Sequence, residues 1–292
     1  MLPLKTKQDA ISIVIPAKNE GLSLGTLLPK IREGYPDAEI IVVNDGSTDN
    51  TLEICRTHGV TVINHPYSMG NGAAVKTGAR AASGEILMFM DADGQHDPDN
   101  IASLLEMLAQ GYDMVVGSRR TQSQAGIGRM SANYVYNAFA SWIVNRTIAD
   151  LTSGFRVVRA EKFREFLHLL PNGFSYPTTI TMSFFRAGYA VGYVPITANK
   201  RLGKSHINPL RDGIRFFLII FKIGTLYSPL KMFLPFSLLF FFTGLSYYAY
   251  TFTTENRFTN MSALLLSVSV LIFLIGLVSE QITMLLYSRR SE

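Results

Sequence analysis

"EILMFMDADGQHDPDN", residues 85–100, joins an apolar run to a crowd of carboxylates and amides around Gly94. Its first half has the near-continuous apolar texture of a strand buried on both faces of a sheet. The second half suits neither helix nor strand, because neighbouring carboxylates repel one another. Pro98 then fits the first turn of a helix over 98–110, with Asp97 and Asp99 at the end where negative charge is favoured. A strand that ends in acidic residues and passes into a helix is one unit of an α/β fold.

The same unit recurs on either side. "ISIVIPA" (11–17), "EIIVVND" (39–45), "VTVINH" (60–65) and "YDMVVGSR" (112–119) read as strands. Helical stretches in "SLGTLLPKIREG", "TDNTLEICRTHG" and "GNGAAVKTGARAAS" separate the first of them. This alternation predicts an α/β domain with a mostly parallel sheet covered on both faces. Ligands of such sheets collect beyond the carboxyl ends of the strands. Here those ends carry "PAKNE", "NDGSTD", "HPYSMGNG", "DADGQH" and "GSRR". That concentration of polar, charged and glycine residues predicts an active site at this edge.

The chain has 292 residues, 48% of them hydrophobic, and a formal net charge of +5, but the apolar residues are unevenly spread. Residues 1–206 have the texture of a soluble domain. Segments 230–252 and 262–287 are each long enough to cross about 30 Å of hydrocarbon as a helix. Core helices are seldom apolar on every face for that length, so 229–292 is expected to be a transmembrane hairpin. Between these parts, "NPLRDGIRFFLIIFKIGTLY" (208–227) mixes aromatic, aliphatic and basic residues as an interfacial helix does, which places one at 207–228. "NYVYNAFASWIVNRT" (133–147) reads either as a second interfacial helix or as one facing the core. The N-terminal apolar run is too short for a signal peptide. Lys222, Lys231, Arg289 and Arg290 flank the outer ends of the hairpin, while its loop sets Arg257 against Glu255. An integral membrane protein with its globular domain and both termini in the cytoplasm is therefore expected. Glu280, inside the second span, either reaches interfacial water or pairs with Lys231 or a neighbouring subunit, assembling a homo-oligomer through the hairpin. Cys55 is the lone cysteine, so no internal disulfide forms, and the five histidines show no metal-ligand spacing.

At the strand ends, Asp91 and Asp93 flank Ala92, which is too small to obstruct a ligand. Together with the Gln95 amide they are hard oxygen ligands, suited to Mg²⁺ or Mn²⁺ and poor for zinc. Taken alone, such a pair is also an ordinary acidic turn. Asp45 is placed to accept hydrogen bonds from a base or ribose, while Ser47 or Asp49 fits as a cap for the next helix. Asn19 and Glu20 follow a proline that stiffens their loop. Lys76, behind the small residues of "GNGAAVKTG", is a candidate phosphate partner. No Walker pattern and no G-x-G-x-x-G after the first strand are present.

The ordered motifs P-A-x-N-E, D-G-S-x-D-x-T, G-x-G-A-A, D-A-D-x-Q-H, G-S-R and S-G-F-R run through residues 11–206. In this order they resemble the inverting family 2 glycosyltransferases. They look in particular like the polyprenyl-phosphate branch, which includes dolichol-phosphate mannose synthases and undecaprenyl-phosphate glycosyltransferases. The resemblance implies a GT-A fold, a UDP- or GDP-linked sugar donor, a polyprenyl phosphate acceptor at a membrane and no nucleic acid partner. It puts Pro16, Ala17, Glu20 and Asp45 on the nucleoside, and Asp91, Asp93 and Gln95 on the metal and diphosphate. Arg119 would meet the acceptor phosphate, which with Asp91 and Asp93 makes the catalytic set. Asp150, Ser153 and Arg156 would line the sugar and acceptor region, Arg201 and Lys204 would close over it, and Arg129 and Asn133 fall in its neighbourhood. Asn44 and Asn71 depart from the family's usual aspartate and lysine.

A hydroxyl acceptor needs a carboxylate general base. A phosphomonoester does not, since its second pKa is about 6, and it needs cationic positioning instead. The recurring arginines favour the phosphate. A processive polysaccharide synthase would carry Q-x-x-R-W, which the sole tryptophan, Trp142 in "NAFASWIVN", does not provide. A non-catalytic nucleotide-sugar-binding scaffold is the remaining alternative, and the intact acidic motifs speak against it.

Overall fold

Strands buried on both faces of a sheet need apolar side chains on both, and the apolar runs supply them. The computed structural model describes residues 10–119, 127–173, 175–197, 217–218, 221–222 and 224–288. The strands are β1 Ile11–Ala17, β2 Glu39–Asn44, β3 Thr61–Asn64, β4 Ile86–Phe89, β5 Met114–Arg119, β6 Arg156–Arg159 and β7 Val191–Ile196. They form one sheet in the order β3-β2-β1-β4-β6-β5-β7. Neighbours are parallel except that β6 runs antiparallel to both β4 and β5.

The helices are α1 Gly21–Gly34, α2 Thr51–Thr57, α3 Asn71–Ala81, α4 Ile101–Ala109, α5 Ile127–Val144, α6 Ala160–Arg164, α7 Tyr176–Arg186, α8 Pro229–Glu255 and α9 Asn260–Ser288. Alternate residues of a strand face opposite sides. Ile13 and Ile15 accordingly pack with Leu24, Cys55 and Leu104 of α1, α2 and α4. Val14 packs with Ala74, Phe163 and Ile180 of α3, α6 and α7 on the other side. Asp97 caps the turn Pro98–Asn100 that leads into α4, accepting the Asp99 amide at 3.3 Å.

The sequence predicts five strands, and β6 and β7 are additions. "RVVR" is short and bounded by arginines, so it carries neither an alternating nor a continuous apolar signal. β7 is an edge strand, where Pro195 is tolerated because no ladder donor is required. The direction of β6 matters most. It begins where β4 and β5 end, with Arg156 paired to Phe89 and Val116. Residues 150–155 are thereby carried to the edge that holds Asp91 and Arg119.

Phe139–Asn145 and Ile214–Glu292 form a second compact unit. α8 and α9 contain windows of mean hydropathy 1.4 and 2.7, each only 17% buried, so they are long and apolar enough to cross a membrane and are not wrapped as core helices would be. They meet through small residues. Ser237 Oγ donates to the Ser269 carbonyl at 2.9 Å, and Gly244 abuts Leu265 and Leu266. Lys231 and Glu280, which the sequence offers as partners, are each engaged with main chain. Lys231 Nζ donates to the carbonyls of Ile143 (3.1 Å) and Trp142 (3.4 Å), and Glu280 Oε2 accepts the Leu230 amide at 3.2 Å. A cation thus sits at the end of α5 and an anion at the start of α8, as helix dipoles favour. Of the interfacial helix expected at 207–228, 217–218, 221–222 and 224–227 are helical, and 207–216, 219–220 and 223 lie outside the described residues. Phe217 stacks on Phe139, which stacks on Trp142, with centroids 6.1 and 5.9 Å apart.

Candidate active site

The turns after β1, β2 and β4 enclose a cleft of about 390 Å³. Pro16, Ala17 and Glu20 line it from the first turn, Asp45 from the second, and Asp91, Ala92 and Asp93 from the third. Lys18, Ser68 and Asn71 complete much of the remainder. Lys18 and Ser68 were not singled out by sequence, although both sit inside the strand-end stretches "PAKNE" and "HPYSMGNG". Asn19 serves the loop itself: it has φ 56°, and its Oδ1 accepts the Thr48 amide at 2.8 Å.

Asp91 is closely housed. A Cβ on Gly154 would fall 2.6 Å from Asp91 Oδ2, so only glycine leaves room for this carboxylate. The Asp91 amide donates to His96 Nδ1 at 3.3 Å, and the buried His96 ring stacks on Phe155 with centroids 4.8 Å apart. Burial pushes the His96 pKa down to about 4, against the opposing pull of Asp93, so the ring is neutral at physiological pH. Asp93 Oδ1 accepts the Gln95 backbone N–H at 3.1 Å, which folds the acidic turn back on itself.

Asp45 lines the cleft with a carboxylate that is already engaged. Oδ1 receives His65 Nδ1 and the Met69 amide, both at 2.7 Å, and Oδ2 receives Ser68 Oγ at 2.8 Å and the Gly70 amide at 2.9 Å. Burial alone would raise its pKa, but these donors, His65 first, outweigh burial and lower it. Asn44 is also internal: its Nδ2 donates to Asn64 Oδ1 at 2.9 Å, a bond that the family's usual aspartate could not donate.

Beside Asp91, Arg119 forks onto Asp150, with Nε to Oδ2 at 2.8 Å and Nη2 to Oδ1 at 3.0 Å. Burial opposes the charge on both, yet their pairing prevails, lowering the Asp150 pKa and raising that of Arg119. Asp91 and Asp93 add to the field that holds the guanidinium protonated.

Gln95, Arg119 and Asp150 stand outside the cleft lining, and three further expected contacts, Arg156, Ser153 and Lys76, are engaged with the fold itself. Arg156 is fully buried, donating through Nη1 to Pro177 O (3.2 Å) and Thr181 Oγ1 (3.1 Å) and through Nη2 to Ser153 O. Ser153 is buried as well, and its Oγ accepts the Phe155 amide at 3.3 Å. Both belong to the packing that supports β6. Lys76 Nζ donates to Leu170 O at 3.1 Å and to Asn172 Oδ1, while the carbonyls of Asn172 and Gly173 take the Ala73 and Gly72 amides at the start of α3. The Gly72 and Ala73 amides are therefore taken by chain, while Gly70, Asn71 and Ala74 still line the cleft and Lys76 does not. The side chains of Arg129, Asn133, Arg201 and Lys204 lie outside the described residues. Among the described residues, no group of three His, Cys, Asp or Glu side chains stands ready to hold a metal unaided.

Residues 12–167, more than half of the chain, match the Glycosyl transferase family 2 model, and residues 228–285 match the GtrB C-terminal hairpin. Glycosyltransferase AglJ of Haloferax volcanii is 28% identical over 291 residues, covering 94% of this chain and 94% of that protein. Undecaprenyl-phosphate mannosyltransferase of Micrococcus luteus is 28% identical over 210 residues, covering 67% of this chain and 86% of that protein. The crystal structure of glucosyl-3-phosphoglycerate synthase from Mycobacterium tuberculosis with Mn²⁺ and UDP-glucose has a TM-score of 0.60, at 22% identity over 73% of this chain and 79% of that one, which shows a shared fold.

Proposed function

The chain belongs to glycosyl transferase family 2, and we propose that it transfers a sugar from a UDP- or GDP-sugar to a polyprenyl phosphate, with inversion, at the membrane surface. The observation that carries this reading is the meeting of the Asp91–Asp93 edge of the cleft with the Arg119–Asp150 fork, in a chain that also has the hairpin. The likeness to the undecaprenyl-phosphate mannosyltransferase of Micrococcus luteus supports the lipid acceptor.

In this reading Pro16, Ala17 and Glu20 cradle the nucleoside and Asp91 and Asp93 flank the diphosphate. The donor set fits a divalent cation: two carboxylates and the Gln95 amide are hard oxygens, and Gly154 leaves the Asp91 carboxylate its space. Few protein carboxylates completed by substrate phosphates is the usual arrangement for Mg²⁺, and Mn²⁺ takes the same oxygen ligands. When bound, the cation supplies Lewis-acid neutralisation of the departing diphosphate. Arg119 orients the acceptor phosphate, whose oxygen forms the new bond to the anomeric carbon as the bond to the donor diphosphate breaks. Asp150 holds the guanidinium in plane for that task. The catalytic domain at 1–206 would face the cytoplasm, with 207–228 on the membrane surface and 229–292 spanning it.

A donor screen tests the reading. UDP-glucose, UDP-N-acetylglucosamine and GDP-mannose would be offered with undecaprenyl or dolichyl phosphate, and lipid-linked sugar read by mass. One donor should give an acid-labile polyprenyl-phosphate sugar, dependent on Mg²⁺ or Mn²⁺. Hydrolysis or polymer in place of lipid product would overturn it.

A further inference from the structure

A continuous hydrogen-bonded path runs from the mouth of the cleft into its wall. Lys18 Nζ, exposed on the cleft, donates to Ser68 Oγ at 3.0 Å, and Ser68 donates to Asp45. Asp45 meets His65 Nδ1, and His65 Nε2 meets Thr77 Oγ1 on α3 at 3.0 Å. A carboxylate offers about four acceptor positions. His65, Ser68, Met69 and Gly70 occupy those of Asp45, which leaves none over for a nucleobase.

The polarity of the path follows from its ends. Asp45 is held ionised and can only accept, so His65 Nδ1 must donate to it, and Nε2 is left to meet the Thr77 hydroxyl. The loop has little freedom to move elsewhere. It lies directly on Gly46, at φ +66°, where a Cβ would come within 2.7 Å of the Ser68 nitrogen. His65 is therefore the strut between α3 and the carboxylate on which the 67–70 backbone hangs.

We propose that His65 is a positioning residue for the donor nucleotide: it fixes Asp45, which fixes the 67–70 backbone and, through Ser68, the Lys18 ammonium that meets the anionic donor. The proposal rests on this cleft being the donor site. It reassigns Asp45 from base contact to loop organiser, and it gives Lys18 the electrostatic role that Lys76 does not fill.

The test is calorimetric binding of UDP and GDP, with Mn²⁺, to the full-length protein in detergent, alongside steady-state kinetics. His65→Leu should weaken nucleotide binding at least about tenfold, the scale of one lost charge-assisted hydrogen bond. His65→Asn, which can return an N–H donor toward Asp45, should recover most of that loss. In His65→Leu the donor KM should rise while kcat at saturating donor and the lipid KM stay near the parent values. Nucleotide affinity unchanged in His65→Leu, or a fall in kcat without a change in affinity, would overturn the proposal. If His65→Leu does not fold, Thr77→Val carries the test, with weaker nucleotide binding at unchanged kcat expected and parental affinity overturning it. Failure of the parent protein to bind either nucleotide would instead overturn the donor-site reading itself.

Discussion

Gly154→Ala adds one methyl group and removes no charge or hydrogen bond, which makes it a sharp probe of Asp91. The new Cβ would stand 2.6 Å from Asp91 Oδ2 and 2.8 Å from Oδ1. Ordinary contact begins at 3.4 Å, so the carboxylate must retreat by about 0.8 Å. Gly154 has no positive φ, so alanine introduces no backbone strain there. Misplacement of a catalytic group by about 1 Å can cost about 100-fold, and about 2.7 kcal/mol of transition-state stabilisation corresponds to that factor. We therefore expect kcat/KM to fall by roughly two orders of magnitude, with a raised Mn²⁺ requirement and a nearly parental melting temperature. Initial rates across a Mn²⁺ series, paired with thermal melts, measure both. Parental rates at limiting Mn²⁺ would show that the Asp91 carboxylate need not stand where it does, and the assigned diphosphate edge would be lost with it.

Asp93→Asn should bind the membrane and melt normally yet lose about 100-fold or more in turnover, the scale seen when one preorganised electrostatic contact is removed; rates at limiting metal check this. Arg156→Met should leave the Ser153 carbonyl without its Nη2 donor, at about 1–3 kcal/mol, while the Thr181 hydroxyl still donates to Pro177 O. It should therefore lower the melting temperature without changing either KM, whereas a selective rise in the lipid KM would restore an acceptor role. In metal-free buffer, stability should fall as pH drops below about 6.5, because unfolded His96 takes a proton that the buried ring refuses until about 4. The loss steepens below about pH 4, where protonation removes the stabilisation of Asp45 and Asp150, whose pKa values folding lowers. Melts from pH 7 to 3.5 test the sign, and His96→Phe should flatten the upper part of the curve.

Strand order explains why so much of the site was legible. In a parallel sheet every strand delivers its carboxyl end to one edge, so residues 16–20, 45 and 91–93 converge whatever the details of their loops. Each apolar run announces its strand, and the residues that follow it are then placed without further information. β6 breaks the rule. Because it is antiparallel, its amino end reaches the active edge, and the residues before it, Asp150 to Phe155, are delivered there. A four-residue strand bounded by arginines gives no hint of that direction. The proximity of Gly154 to Asp91 was therefore invisible until the sheet was known, although both glycine and aspartate belong to recognisable motifs.

Which polar side chain faces the ligand is a separate matter, and it is decided by competition for partners. Arg156 and Arg119 have the same chemistry and stand at the ends of neighbouring strands. Arg156 finds two carbonyls and a hydroxyl in the interior and stays there, fully buried. Arg119 finds Asp150 beside the cleft, in the field of Asp91 and Asp93, and remains part of the edge. The two lysines divide in the same way. Lys76 is drawn off by the carbonyl of Leu170, nearly a hundred residues away in the chain, while Lys18, among the described residues, is tethered to Ser68 and keeps its place on the cleft. A carbonyl that captures an ammonium group comes from a loop whose path depends on the whole fold. The residue types that can bind phosphate are thus readable one by one, but the fold's own acceptors have first claim on them, and only the side chains those acceptors leave at the edge can serve the reaction.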